Sequence, residues 1–186
     1  MKIVVHVCCA PCLAGTLDAF GGLGDVLAYF YNPNIHPLLE FRKRLKALEV
    51  FAERRGIRYD ADREYGLTRF LELVAPDGAG RCPVCYRARL GRTARYAAEK
   101  GADAFSTTML SSRYQDHDAI RRAGAAAAAE TGVEFLYRDL RDRADDGLAI
   151  AKKMSLYRQQ YCGCIFSEYE RYKDTKVEIY RAKQEC

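Results

Sequence analysis

Seven cysteines in three short groups constrain this chain more than any other feature: Cys8, Cys9 and Cys12, then Cys82 and Cys85, then Cys162 and Cys164. A single cysteine is usually a small buried hydrophobe. Three groups at such tight spacing instead point to shared chemistry, and that chemistry requires the beginning, middle and end of the chain to meet. The eighth cysteine, Cys186, is terminal and reads as a bystander.

The segment before the first group, Met1 to Val7, is too short for a signal peptide's apolar core and cleavage site. No stretch approaches a membrane span. A cytoplasmic location without a membrane partner is therefore expected, where thiols stay reduced and grouped cysteines bind metal or cycle between thiol and disulfide. The chain has 186 residues and is 49% hydrophobic and 30% charged, enough to bury one core, so a single domain over 1–186 is expected. The net charge of +5 suits a polyanion such as RNA without requiring one.

Lys2 to Val7 reads as a buried strand that stops at Cys8-Cys9-Ala10-Pro11-Cys12, with a helix over Leu13 to Phe20. Further strands are predicted at Asp25 to Tyr31, Ile57 to Tyr59, Ala104 to Met109 and Val133 to Tyr137. Helices are predicted over Pro37 to Arg55, Leu67 to Val74, Cys82 to Lys100 and Asp118 to Thr131, and the remainder reads as helical, broken at Tyr161 to Cys164. Strands alternating with helices predict an α/β, Rossmann-like fold: a mostly parallel sheet, helices on both faces and a helical C-terminal extension. Such sheets place ligands beyond the carboxyl ends of their strands, here at Cys8 to Cys12, Asn32 to His36, Ser111 to Asp118 and Arg138 to Leu140. The glycine run Gly21-Gly22-Leu23-Gly24 follows a helix and precedes a strand, the wrong order for a phosphate loop.

Each cysteine group has a local logic. Cys82-Pro83-Val84-Cys85 opens a helix, with Pro83 predicted at the first helical position, and the helix N-terminus favours thiolates. Cys9-Ala10-Pro11-Cys12 repeats this arrangement after the first strand. Cys8 joins the same metal only if the chain turns there, because neighbouring strand residues face opposite ways. Gly163 permits the bend that lets Cys162 and Cys164 meet. Four thiolates satisfy either a structural zinc or an iron–sulfur cluster, and spacing alone does not separate the two. Seven exceed one zinc site, which argues for a cluster plus a second element, either a dithiol or a mononuclear metal.

Three motifs carry a resemblance over nearly the whole chain: His6-Val7-Cys8-Cys9-Ala10-Pro11-Cys12, Cys82-Pro83-Val84-Cys85-Tyr86-Arg87-Ala88-Arg89 and Tyr161-Cys162-Gly163-Cys164-Ile165-Phe166-Ser167. With Tyr31-Asn32-Pro33-Asn34-Ile35 and Tyr114-Gln115-Asp116-His117, they resemble the QueH-type epoxyqueuosine reductases. The resemblance implies the last step of queuosine formation in tRNA, removal of the epoxide oxygen from a cyclopentane ring. It implies Cys8, Cys9, Cys82 and Cys85 as ligands of a 4Fe-4S cluster. It implies Cys162 and Cys164 as a redox-active pair or as ligands of an additional mononuclear iron, which Cys12 can join. The implied partners are tRNA carrying epoxyqueuosine and an electron donor that no motif identifies.

Tyr114, Asp116 and His117 are the candidate proton donors, on a loop past a strand end. His6 reads as a core histidine supporting the site and not as a ligand. Arg42, Lys43 and Arg44 read as a solvated helix face that a tRNA-binding role would use for phosphate contacts. Arg87 and Arg89 suit a substrate phosphate or carboxylate partners. Two rival readings remain. A zinc-stabilised RNA-binding module would be colourless, and a thioredoxin-like thiol oxidoreductase would need only Cys9 and Cys12.

Overall fold

β1 (Lys2–His6) forms because Ile3, Val4 and Val5 suit a strand buried on both faces, and all three are buried in the computed structural model, which describes residues 1–175. Cys186 lies outside the described residues. β1 is the middle of a five-stranded sheet, between β2 (Asp25–Phe30) and β4 (Ala104–Thr107), with β3 (Arg58–Ala61) and β5 (Glu134–Phe135) outermost. The order β3-β2-β1-β4-β5 is parallel throughout, with Ile3 opposite both Val26 and Ala104. This is the expected Rossmann-like architecture, and the strand order reverses between β1 and β4, where such sheets open a crevice.

Alternation along β1 sends Ile3, Val5 and Val7 to one face and Val4 to the other. The first face packs under α1 (Ala10–Gly21), α2 (Leu38–Arg55) and α6 (Ala144–Lys153), through Leu13, Phe20, Leu48, Phe51 and Ala151. The second packs under α4 (Arg81–Glu99) and α5 (His117–Thr131), through Leu90, Ala94, Ile120 and Ala123. Gly56 closes α2 in the left-handed conformation at φ 62°, open to glycine without strain.

The C-terminal extension is packed back onto the sheet layer. α6 lies so close to α1 that a Cβ on Gly147 would fall 2.2 Å from the Pro11 carbonyl oxygen, and one on Gly15 2.4 Å from that of Arg143. α3 (Leu67–Leu73) and α7 (Ile165–Tyr172) enclose a small apolar cluster of Phe70, Val74 and Cys164. Among the described residues, no helix is long and apolar enough to cross a membrane.

Boundaries differ from expectation where cysteine chemistry intervenes. α1 begins at Ala10, not Leu13, because the Cys9 sulfur accepts the Cys12 N–H at 3.2 Å and serves as the cap. α4 begins at Arg81, which puts Pro83 third in the helix and not first, still among the positions whose N–H has no partner within the helix. The fourth strand ends at Thr107, whose hydroxyl accepts the Met109 N–H at 3.1 Å and starts a tight turn over Thr108–Ser111. Arg44 is not on a solvated face: it is 1% exposed, while Arg42 and Lys43 point outward.

Candidate metal and thiol site

The chain leaves β1 at Val7 and turns, so that Cys8 swings beside the α1 N-terminus. The Cys8, Cys9 and Cys12 sulfurs all lie within 4.8 Å of one another. Cys8 is fixed from the β4 side: its N–H reaches the Thr108 hydroxyl at 3.5 Å, and its sulfur lies 3.7 Å from the same oxygen. This group therefore occupies the crevice between the carboxyl ends of β1 and β4.

Cys82 and Cys85 enter from the α4 N-terminus. Cys85 packs with Cys164, Phe70 and Val84. Cys164 caps α7 through its sulfur, which accepts the Ser167 N–H at 3.4 Å. Cys162 receives the Gln115 side-chain amide at 3.3 Å, and Gln115 accepts the Tyr86 hydroxyl from α4 at 2.8 Å. Gln159 closes the circle, its amide 3.0 Å from the Cys9 sulfur and 3.6 Å from that of Cys12. The beginning, middle and end of the chain thus share one site, framed by the N-termini of α1, α4 and α7, whose partial positive charge favours anionic sulfur.

The Tyr161–Cys164 segment is clamped from α2. Arg44 donates to Glu40 at 2.7 Å and to the Cys162 and Tyr161 carbonyls, each at 2.9 Å. The other Glu40 oxygen accepts the Tyr157 hydroxyl. His36 accepts the Ile165 N–H on Nδ1 at 3.3 Å and donates from Nε2 to the Pro33 carbonyl at 3.1 Å, while its own N–H binds the Gly163 carbonyl at 2.8 Å. Burial holds His36 neutral, its pKa down at about 4.

Burial pushes the Cys85 thiol up to about 11, against the pull of Arg89, and raises Cys82 and Cys162 in the same way. A metal bound to these sulfurs would draw their protons off. Arg89 lies 3.5 Å from the Cys85 sulfur and 3.3 Å from His6 Nε2, is 2% exposed, and forms no ion pair with a carboxylate among the described residues. A buried cation among thiols fits a centre that is anionic when loaded, so the donor set suits an iron–sulfur cluster.

Of the expected redox elements, the sulfurs joined to each other are Cys9 and Cys12, while Cys162 and Cys164 are separate free thiols. The CxxC pair faces across the first turn of α1, whereas Cys164 turns inward as a cap and Cys162 turns toward Gln115. The three proton-donor candidates lie on and beside the loop of Gln115, with their side chains turned to other partners or to solvent. Tyr114 is 96% exposed, Asp116 caps α5 through the Ala119 N–H at 2.9 Å, and His117 faces the Tyr137 hydroxyl and the Ser112 carbonyl. Among the described residues none of these three side chains hydrogen-bonds to a cysteine. The side chains that do, Thr108, Gln115, Gln159 and Arg89, are not singled out as sulfur partners by sequence; only Arg89, four residues after Cys85 on one helix face, carries a spacing signal for it.

Among solved structures, the chain superposes on the U34-tRNA thiolase NcsA from Methanococcus maripaludis with its 4Fe-4S cluster, at TM-score 0.58, over 90% of this chain and 61% of that one. At 14% identity this is a likeness of fold. A curated relative from Dehalococcoides mccartyi, named epoxyqueuosine reductase QueH, is 41% identical over 172 residues, 92% of this chain and 94% of that one. Another of the same name, from Thermotoga maritima, is 33% identical over 190 residues, 97% of each chain. The family model for epoxyqueuosine reductase QueH matches residues 3–170, a span that takes in all seven grouped cysteines, and the chain therefore belongs to the QueH family.

Proposed function

We propose that this chain reduces epoxyqueuosine in tRNA to queuosine, the last step in making that nucleoside. The observation that carries the reading is the approach of cysteines from distant segments: Cys8, Cys9 and Cys12 lie within 4.8 Å of one another with Gln159 against Cys9, and Cys85, beside the buried Arg89, packs with Cys164. In the reaction both epoxide C–O bonds break, two electrons and two protons are taken up, an alkene forms and the oxygen leaves as water.

Cys8, Cys9, Cys82 and Cys85 would hold a 4Fe-4S cluster, which supplies electrons one at a time when bound. Cys162 and Cys164 would act as the dithiol. On closing to a disulfide they release two electrons and two protons, the number the deoxygenation consumes. In the alternative assignment they hold an additional iron with Cys12. Gln115 keeps Cys162 oriented, and the Arg44 clamp holds the backbone on either side of it. Tyr114, Asp116 and His117 would supply protons from the loop that carries Gln115, with Asp116 and His117 also ordering that loop. The electrons would come from a separate donor that no motif identifies, and the proposed setting is the cytoplasm.

A second reading has one observation in its favour. The bonded pair is Cys9 and Cys12, so this CxxC can be the dithiol that cycles. Disulfide mapping by mass spectrometry after a single turnover separates the two. The test of the function is anaerobic incubation of iron- and sulfide-reconstituted protein with epoxyqueuosine-containing tRNA and a reductant, followed by nucleoside mass analysis. Loss of one oxygen from the nucleoside is expected. An unchanged epoxide with an intact cluster, or a colourless protein holding only zinc, would refute the reading.

A further inference from the structure

Two arginines are among the most deeply buried large side chains, and they are treated very differently. Arg44 is neutralised by Glu40 and spends its remaining donors on two carbonyls. Arg89 has no carboxylate among the described residues, and its hydrogen bonds run only to His6 Nε2 and the Cys85 sulfur. His6 supplies no countercharge. Its ring lies between the Thr107 hydroxyl at 2.9 Å and the Tyr31 carbonyl at 3.1 Å, and an imidazole offers no negative charge.

Folding does not sequester a lone cation without an anion to meet it. The sulfur that meets the Arg89 guanidinium is that of Cys85, at 3.5 Å. Arg89 stands on α4 one turn after Cys85, so its guanidinium is carried on the same rigid element that presents two of the sulfurs.

Resting on the function proposed above, we infer that Arg89 is the fixed counter-cation of the sulfur-ligated centre and sets its reduction potential. Adding an electron makes the centre more negative, and a buried positive charge alongside, screened little by water, stabilises the reduced form. Arg89 acts through the centre without ligating it, and is a positioning and tuning residue.

The test compares wild type with Arg89→Met, Arg89→Gln and Arg89→Lys. After anaerobic reconstitution, the cluster is titrated with dithionite and mediators and followed by visible absorbance and electron paramagnetic resonance. At the potential that half-reduces wild type, the ratio of reduced to oxidised cluster is expected to fall about tenfold or more in the two neutral variants, and to remain near wild type in Arg89→Lys. A neutral variant with full iron content and a wild-type potential overturns the inference. So does a folded Arg89→Lys that takes up no iron, since it keeps the charge.

A second measurement needs no cluster. In the reduced, metal-free protein Arg89 is a buried cation with no carboxylate partner among the described residues, so Arg89→Met is expected to unfold at the same denaturant concentration as wild type or a higher one. A metal-free Arg89→Met that fails to fold also overturns the inference, because Arg89 would then be a structural support. Failure of wild type itself to bind iron and sulfide strikes the function reading instead, and leaves this denaturation comparison to judge Arg89.

Discussion

Replacing Arg44 with Met tests whether the α2 clamp is what holds the Cys162 segment in place. The substitution removes the ion pair to Glu40 and the hydrogen bonds to the Tyr161 and Cys162 carbonyls, and leaves Glu40 as a buried carboxylate whose remaining side-chain partner is the Tyr157 hydroxyl. Breaking a buried pair from one side costs about 3–5 kcal/mol, and the two abandoned carbonyls add roughly 1 kcal/mol more. Against a typical domain stability of about 5–15 kcal/mol, Arg44→Met should lie close to its unfolding threshold. For a chain of this length the melting temperature should drop by on the order of 10–20 °C. Urea denaturation of the reduced, metal-free protein gives the free energy directly, and the rate of Cys162 alkylation in native buffer reports release of the segment. Adding Glu40→Leu removes the stranded charge and should restore most of the loss, leaving about 1–2 kcal/mol from the carbonyls. An Arg44→Met variant that loses less than about 1 kcal/mol, a surface ion pair's worth, refutes the reasoning. A double variant no more stable than the single one refutes it equally.

Because a Cys9 sulfur bonded to Cys12 is not free to ligate iron, air-oxidised protein should take up less iron than protein treated with dithiothreitol, and Cys12→Ser should remove that difference; iron and sulfide assays decide it. Stability should fall as pH drops from about 6.5 toward 4: the unfolded chain protonates His36 near its ordinary value while the folded one resists until about 4, so the unfolded state binds more protons throughout that window. Denaturation midpoints at pH 7 and pH 5 measure this, and His36→Asn should reduce the dependence, with the buried His6 supplying a remainder of the same sign. Gly147→Ala should destabilise by about 1–3 kcal/mol, because its Cβ would collide with the Pro11 carbonyl where α6 crosses α1; a melting temperature within 1 °C of wild type contradicts that close crossing.

Much of the fold is legible in the sequence because its signals are local. The β-branched run at Ile3 to Val5, the glycine ends at Gly56 and Gly132 and the helical spacing of Leu45, Leu48 and Phe51 each act within a few residues. The meeting of the cysteine groups is legible through chemistry and resemblance, since no local propensity joins residue 8 to residue 162. Illegible features are those decided by tertiary packing. Nothing in Arg42-Lys43-Arg44 says that the third turns inward, until Glu40 one turn earlier and the Tyr161 and Cys162 carbonyls are in place around it. Nor does Asp116 announce itself as a helix cap once it is read with its neighbours as an acid–base loop. Cysteine as the cap of α1 and α7 escapes notice because sulfur is outside the usual capping set of hydroxyl, carboxylate and amide.

The order of the strands has a consequence for biosynthesis. β1 sits at the centre of the sheet, yet its neighbour β4 and the segment bearing Cys162 are made long after it. At a ribosomal pace of about 5–20 residues per second, roughly 8–30 s separate translation of Cys8 from that of Cys162. Throughout that interval the first thiols are made without the partners that enclose them, so a centre built from all three cysteine groups would form only once the Cys162 segment is in place, and early bonding of Cys9 to Cys12 would stand in its way.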